Sequence, residues 1–465
     1  MVLKIKTTPS NLFDGRRERD EAIKSKYDRA LKHFESEFTF HKSVIVEEIN
    51  KVATSVSIYL AGSFARNEGS FKFIDGKPTP LRDYDIVIVT NDLLDTDVID
   101  KIRIQIHKRL GLPDPFSRDF KFGSFTVWIT QTSLSSINAF PLLKYYELKH
   151  SSKLLWGKDI RDEIKIDFED LSFYNGVLIL FSKVEGLLGL LNIDNLHRKN
   201  SKENIDFIYE CLKSYVEIGT CLSMLVGEYD HSFLGRNKKI YENFDTLFPE
   251  LKNLVPDLSS KIIASSYERL LVADDFSDKV DLGDLLTGTL NDLKTAIWYY
   301  LREAYQTDIP YSHDYAAIFD NYLNKLNSKL LEDLFDFYIK KKVGFRSKFI
   351  RKLAVSVYLR YCSLKFFMIC RKNGDLVKIR VLWMRKSNLM LRLWLTGFLV
   401  LESVQNNLDI NELALHAAEK RLNEVIDIAG YRKFTPEETE LKFAYLQNTE
   451  SRLLDIADKI FHRKS

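Results

Sequence analysis

Proline is spread unevenly along this chain of 465 residues, and that distribution limits the fold more than any other feature. Six of the ten prolines, at positions 9, 78, 80, 113, 115 and 141, lie before residue 150. Proline removes a backbone donor and breaks helix interiors, so the long proline-poor remainder is expected to be mostly helical. The apolar spacing agrees. In "DFIYECLKSYVEIGTCLSML", Ile208, Cys211, Leu212, Tyr215, Gly219 and Leu222 recur at the helical period. The segments "YLNKLNSKLLEDLFDFYIKKK" and "INELALHAAEKRLNEVIDIA" follow the same rule.

Residues 55–131 have another pattern. "SVSIYLAG", "DYDIVIVT" and "SFTVWITQ" are short β-rich runs. "GSFARNEG" can open a helix, and "FKFIDGKPTP" reads as a loop or small hairpin. "TDVIDKIRIQIHKRLG" predicts an amphipathic helix that stops at Gly111. Strand, turn, strand, helix and strand in this order predict an α+β protein. Its N-terminal mixed sheet has flanking helices, and a large, mostly α-helical C-terminal region follows. The expected divisions are N-terminal helices over 1–52, the sheet domain over 53–165, a helical domain over 166–330 and a basic helical domain over 331–465.

The sheet segment carries the chemistry. Alternate strand residues share a face, so Asp83 and Asp85 project together while Tyr84 points away. Two like charges side by side repel, and burial raises a carboxyl pKa further. A divalent cation relieves both costs, because Mg²⁺ takes carboxylate oxygens and keeps positions open for phosphates. Upstream, Gly62 allows close backbone approach to a ligand. Ser63 offers a hydroxyl and a backbone N–H, and Arg66 adds positive charge. Phosphate on one side and metal on the other describe a site for a nucleoside triphosphate.

At these residues, "LAGSFARNEG … DYDIVIV" resembles the nucleotidyltransferases of the DNA polymerase β superfamily, in the form used by the minimal and kanamycin-type enzymes. The resemblance covers about 55–131 and extends to "HSSKLLWGKDI". It implies that Asp83 and Asp85 bind Mg²⁺ or Mn²⁺ and that Gly62 and Ser63 hold the triphosphate. It also implies transfer of a nucleoside monophosphate from an NTP to an acceptor hydroxyl, with release of pyrophosphate. Two features depart from the pattern. The gap from Ser63 to Asp83 is long, with "FKFIDGKPTP" as an insertion. The superfamily's third carboxylate, on a later strand, has no acid at Thr126 or Val127, which leaves Asp119 as the nearest substitute, an acid from elsewhere in the chain, or a loss of efficient base catalysis. The alternative is a catalytically impaired nucleotide- or nucleic-acid-binding regulatory protein of the same fold.

Charge is uneven too. The net charge is +3, yet residues 341–392 hold fifteen Lys or Arg and one acid, Asp375. Arg346, Lys348, Arg351, Lys352 and Arg360 lead this segment, interleaved with aromatics. They fit either a polyanion (RNA, DNA or the NTP tail) or internal ion pairs and solvent, with a membrane surface as a weaker third option. Phe349, Leu353, Val357 and Tyr361 fall at helical spacing and are expected in a core. Four cysteines without a C-x-x-C pair build no disulfide framework and suit a reducing cytoplasm as buried thiols. No run is long and apolar enough to span a membrane, and the N-terminus shows no signal-peptide h-region. P-loop, H-E-x-x-H and G-x-S-x-G patterns are absent.

Overall fold

A computed structural model describes residues 16–53, 56–74, 77–117, 125–139, 141–194, 201–272, 280–308, 310–311, 348–375, 377–378, 381, 389–405, 407–426 and 438–461. In chain order the elements begin with α1 (Arg16–Asn50), β1 (Ser57–Ala61), α2 (Gly62–Ala65), β2 (Phe71–Ile74), β3 (Lys77–Pro80) and β4 (Tyr84–Val89). Next come α3 (Thr96–Leu110), β5 (Val127–Thr132), α4 (Leu134–Ala139), α5 (Leu143–Ser151), β6 (Lys153–Trp156), α6 (Tyr174–Leu190), α7 (Ser201–Leu225), α8 (Phe233–Leu247) and α9 (Pro249–Leu254). The last are α10 (Leu258–Glu268), α11 (Leu282–Tyr305), α12 (Lys348–Lys372), α13 (Leu389–Glu402), α14 (Glu412–Leu422) and α15 (Thr439–Phe461). The fold is mixed α+β, with a small mixed sheet and a mostly helical C-terminal region.

Two compact units divide the chain. One comprises Met1–Ser172, Ser201–Lys252 and Pro256–Val280, and the other Phe173–Asn200, Asn253–Val255 and Asp281–Ser465. The sheet unit therefore takes in α7, α8 and α10, beyond the boundary expected near 165. Glu68, just after α2, supplies one reason. Its carboxylate accepts from the backbone N–H groups of Phe233 (3.1 Å) and Leu234 (3.2 Å) and from the Ser232 hydroxyl (2.6 Å). A carboxylate at a helix N-terminus satisfies orphan donors and complements the dipole, so Glu68 ties α8 to the sheet.

The sheet has the order β5-β4-β1-β6. β1 pairs antiparallel with β4 and β6, and β4 pairs parallel with β5. One face presents Ile58, Leu60, Tyr84, Ile86, Ile88, Val127 and Ile129 to a core shared with α1 and α3. Phe34, Phe64, Phe71 and Tyr84 pack with ring centroids 4.9–5.8 Å apart. This aromatic cluster fixes Phe64 and Tyr84 inward, and so turns Ser63, Asp83 and Asp85 away from the core. The β2–β3 hairpin forms where the insertion was expected, and α3 ends at Gly111, which adopts the left-handed cap conformation.

In the other unit, α6, α13 and α15 pack on one another, α12 rests on α15, and α14 joins α13 and α15. Phe181 stacks on Trp394 at 5.0 Å, and the Gln447 amide donates to the Leu188 and Leu191 carbonyls at the end of α6. In both units the cysteines, Cys211, Cys221, Cys362 and Cys370, are buried and none is in a disulfide. Among the described residues, no helix is long and apolar enough to cross a membrane. One sequence expectation is corrected: Val357 and Tyr361 do not lie in the core. They are 57% and 58% exposed, because α12 turns Cys362, Phe366 and Cys370 inward instead. Residues Phe349 and Leu353 belong to α12, and its side chains there are outside the described set.

Candidate functional site

The Gly-Ser turn and the aspartate strand meet because of strand register. Ala61, the last residue of β1, stands opposite Asp85 on β4. The chain then turns at Gly62 with φ +66°, and a β-carbon there would stand 2.0 Å from Asp85 Oδ2. The absence of that carbon lets the carboxylate lie over the turn. Burial pushes the Asp85 pKa up to about 7, and the Asp83 charge adds to the effect. Lys213 and Arg66 oppose the rise, and Glu147 reinforces it.

Arg66 is itself largely enclosed. Its guanidinium lies 3.4 Å from Glu68 and 3.2 Å from Glu147. Glu147, on α5, also accepts from the Tyr229 hydroxyl at 2.5 Å. Arg236 approaches Glu147 at 4.0 Å and donates to Tyr229 at 3.2 Å. Two glutamates thus share the Arg66 charge.

A second group of cations comes from elements that sequence reasoning did not connect to the site. Along α7, Asp206, Tyr209, Glu210, Lys213 and Glu217 form a polar stripe at the helical period on a helix that is otherwise buried. Arg82, next to Asp83, lies 3.5 Å from Glu210 and 4.5 Å above the Tyr209 ring. Arg269 lies 5.7 Å from the same ring and 4.4 Å from that of Phe233. Burial alone would push the Tyr209 phenol up, but Arg269, Lys213 and Arg82 bring it below its ordinary range. Burial likewise works against the Lys213 charge, yet Glu210, Tyr209 and Glu217 hold that lysine above its usual value. The signal was present in the sequence as D-x-x-Y-E-x-x-K-x-x-x-E over 206–217, on a helix whose opposite stripe is apolar.

On the neighbouring strand, the residue in register with Asp85 is Trp128. In-register neighbours leave a sheet on the same face. Arg103 covers the Trp128 ring at 4.4 Å. Thr126 meets His107 at 3.0 Å, and Val127 is buried. The β5 positions beside Asp85 therefore carry no acid. Asp119 lies outside the described residues. Among the described residues, no group of three His, Cys, Asp or Glu side chains is arranged to ligate a metal.

The basic segment is only partly described. Arg346 lies outside the described residues, and Lys348, Arg351 and Lys352 sit on α12 where side chains are not described. Arg360 is exposed on the same helix. No protein-family model, curated protein or solved structure matches this chain.

Proposed function

We propose that the sheet unit is a nucleotidyltransferase domain of the DNA polymerase β superfamily type, using a metal-bound NTP. The observation that carries this reading is the meeting of Gly62 and Asp85. The turn has no side chain where the carboxylate lies, so a polyphosphate can approach backbone and carboxylate together. Asp83 and Asp85 suit a hard divalent cation, Mg²⁺ or Mn²⁺, which binds through one or two carboxylates and keeps other positions for water and phosphate. Such an ion would neutralise the two carboxylates and the charge building on phosphoryl oxygens. Ser63 offers the triphosphate a hydroxyl and a backbone N–H. Lys213, Arg82 and Arg269 supply positive charge for the leaving pyrophosphate. In the reaction, an acceptor hydroxyl gives up its proton to solvent as its oxygen bonds to the α-phosphorus, the bond from the α-phosphorus to the α–β bridging oxygen breaks, and pyrophosphate departs with that oxygen. An RNA end or another nucleotide is the acceptor class to test first.

Trp128 favours a second reading, a nucleotide-binding regulatory protein without efficient transfer, because it stands beside Asp85 where an acid would activate the acceptor. Incubation with α-labelled NTPs, Mg²⁺ and total RNA separates the two. Label transfer that Asp83→Ala/Asp85→Ala abolishes supports the transferase. Metal-dependent NTP binding without transfer to any acceptor supports the second reading. Absence of both binding and transfer overturns the site.

A further inference from the structure

Helix α12 is apolar on two opposite sides. Cys362, Phe366 and Cys370 are buried on the side that packs toward α15. On the other, Val357, Tyr361, Leu364 and Met368 are 57%, 58%, 45% and 60% exposed. Their spacing of four, three and four residues is the seam of a heptad repeat, with Val357 and Leu364 at d and Tyr361 and Met368 at a. In that frame Cys362, Phe366 and Cys370 fall at b, f and c, the back of the helix. The seam runs about 16 Å at 1.5 Å per residue, enough for three layers of knobs into holes.

We propose that this face of α12 docks an acidic amphipathic α-helix of another protein. Charge selects that occupant. The positions beside the seam carry Arg360 at g and Lys365 and Lys372 at e, and Arg371 stands at the next d position, where the apolar seam ends. Glu and Asp are missing from α12 altogether. Such flanking positions set partner choice in helix pairs, so a second copy of α12 meets like charge along its length. A helix with Glu or Asp at e and g meets opposite charge while its own apolar seam covers the four side chains. Single-stranded nucleic acid fits less well, because Tyr361 is the one aromatic plane among these four seam side chains, and successive bases need several to stack on. A membrane surface fits less well too, because two apolar residues per heptad make a narrow seam rather than the wide face that interfacial helices bury.

The test uses the full chain and fluorescent helical peptides of about 28 residues, four heptads with Leu at a and d. One peptide carries Glu at e and g, the other Lys. Fluorescence anisotropy is expected to show binding of the Glu peptide and none of the Lys peptide. Leu364→Ser/Met368→Ser is expected to weaken the Glu peptide at least tenfold without changing the helical circular dichroism. Arg360→Glu/Lys372→Glu is expected to transfer the preference to the Lys peptide. The proposal is overturned by equal binding of both peptides, by no binding of the Glu peptide, or by undiminished binding to the Ser variant. Three further results overturn it in favour of another occupant: self-association that the Ser variant abolishes, or binding to phosphatidylserine vesicles or single-stranded RNA while both peptides stay unbound.

Discussion

Gly62 and Asp85 occupy one volume: the position of a β-carbon on the first is 2.0 Å from a carboxylate oxygen of the second. A substitution at Gly62 therefore has two costs, the φ of +66° and the collision. Gly111 separates them, since its φ is +67° and nothing lies within 4 Å of an added carbon. Gly111→Ala is expected to cost about 1–2 kcal/mol, the price of left-handed backbone alone. Gly62→Ala is expected to cost more and to abolish NTP binding by displacing Asp85. Thermal unfolding and equilibrium NTP binding of both variants check this. Equal losses in the two variants would show that Asp85 simply moves aside.

Asp85 makes the protein's stability depend on pH. Its pKa is about 7 in the fold against an ordinary 3.8. Between these values the folded chain holds a proton that the unfolded chain has lost, so stability falls as pH rises from about 4 to 7. Asp85→Asn removes this slope and is expected to stabilise the metal-free protein at pH 8 by about 1–3 kcal/mol. The same change is expected to eliminate any rise in Tm on adding Mg²⁺. An unaltered Mg²⁺ response in the variant would remove Asp85 from the metal site.

How much of this was legible in the sequence depends on the distance over which each feature acts. The alternation of Ile86 and Ile88 with Val87, and the stop at Gly111, are local, and the structure repeats them. The contact of Gly62 with Asp85 rests on strand pairing, which the two β-rich runs suggested. The approach of Lys213 to Asp85 joins residues far apart in the chain, and no local pattern announces it. The polar stripe of α7 stayed hidden because the apolar residues 208, 211, 212, 215, 219 and 222 alone sufficed to predict the helix. Val357 and Tyr361 misled for a related reason. Helical periodicity reports that a face is apolar, but not that it is covered, and α12 has two such faces.

Lys213 is expected to matter for the nucleotide as well as for the fold, where Glu210 and Glu217 lose a neighbouring cation without it. Lys213→Met removes a cation that opposes the rise in the Asp85 pKa. Loss of one charge-assisted contact costs about 1.5–3 kcal/mol, or about 10- to 150-fold in the Kd for NTP with Mg²⁺. Lys213→Arg keeps the charge and is expected to recover most of the affinity. Isothermal titration of the three proteins decides the matter. A Met variant that binds as tightly as the parent chain would assign Lys213 to the Glu210 and Glu217 network alone.

Glu450, on α15, tests the core of the other unit. It is fully buried, and neither carboxylate oxygen has a hydrogen-bond partner among the described residues. Leu188 and Leu454 gather with it around Gly397, where an added β-carbon would stand 3.6 Å from the Glu450 Cγ. Burial alone holds its carboxyl well above the ordinary glutamate range. The folded chain therefore keeps a proton that the unfolded chain releases above pH 4.5, and stability falls as pH rises beyond that point. Glu450→Met fills the same space without a titrating group. It is expected to raise stability by about 1–3 kcal/mol at pH 8, because the fold then no longer holds an unpaired buried carboxyl that must take up a proton. The gain is expected to shrink toward pH 4.5, where the unfolded chain begins to hold the same proton. Urea unfolding followed by circular dichroism at the two pH values measures both numbers, and a gain that stays the same at both would show that Glu450 is ionised in the fold.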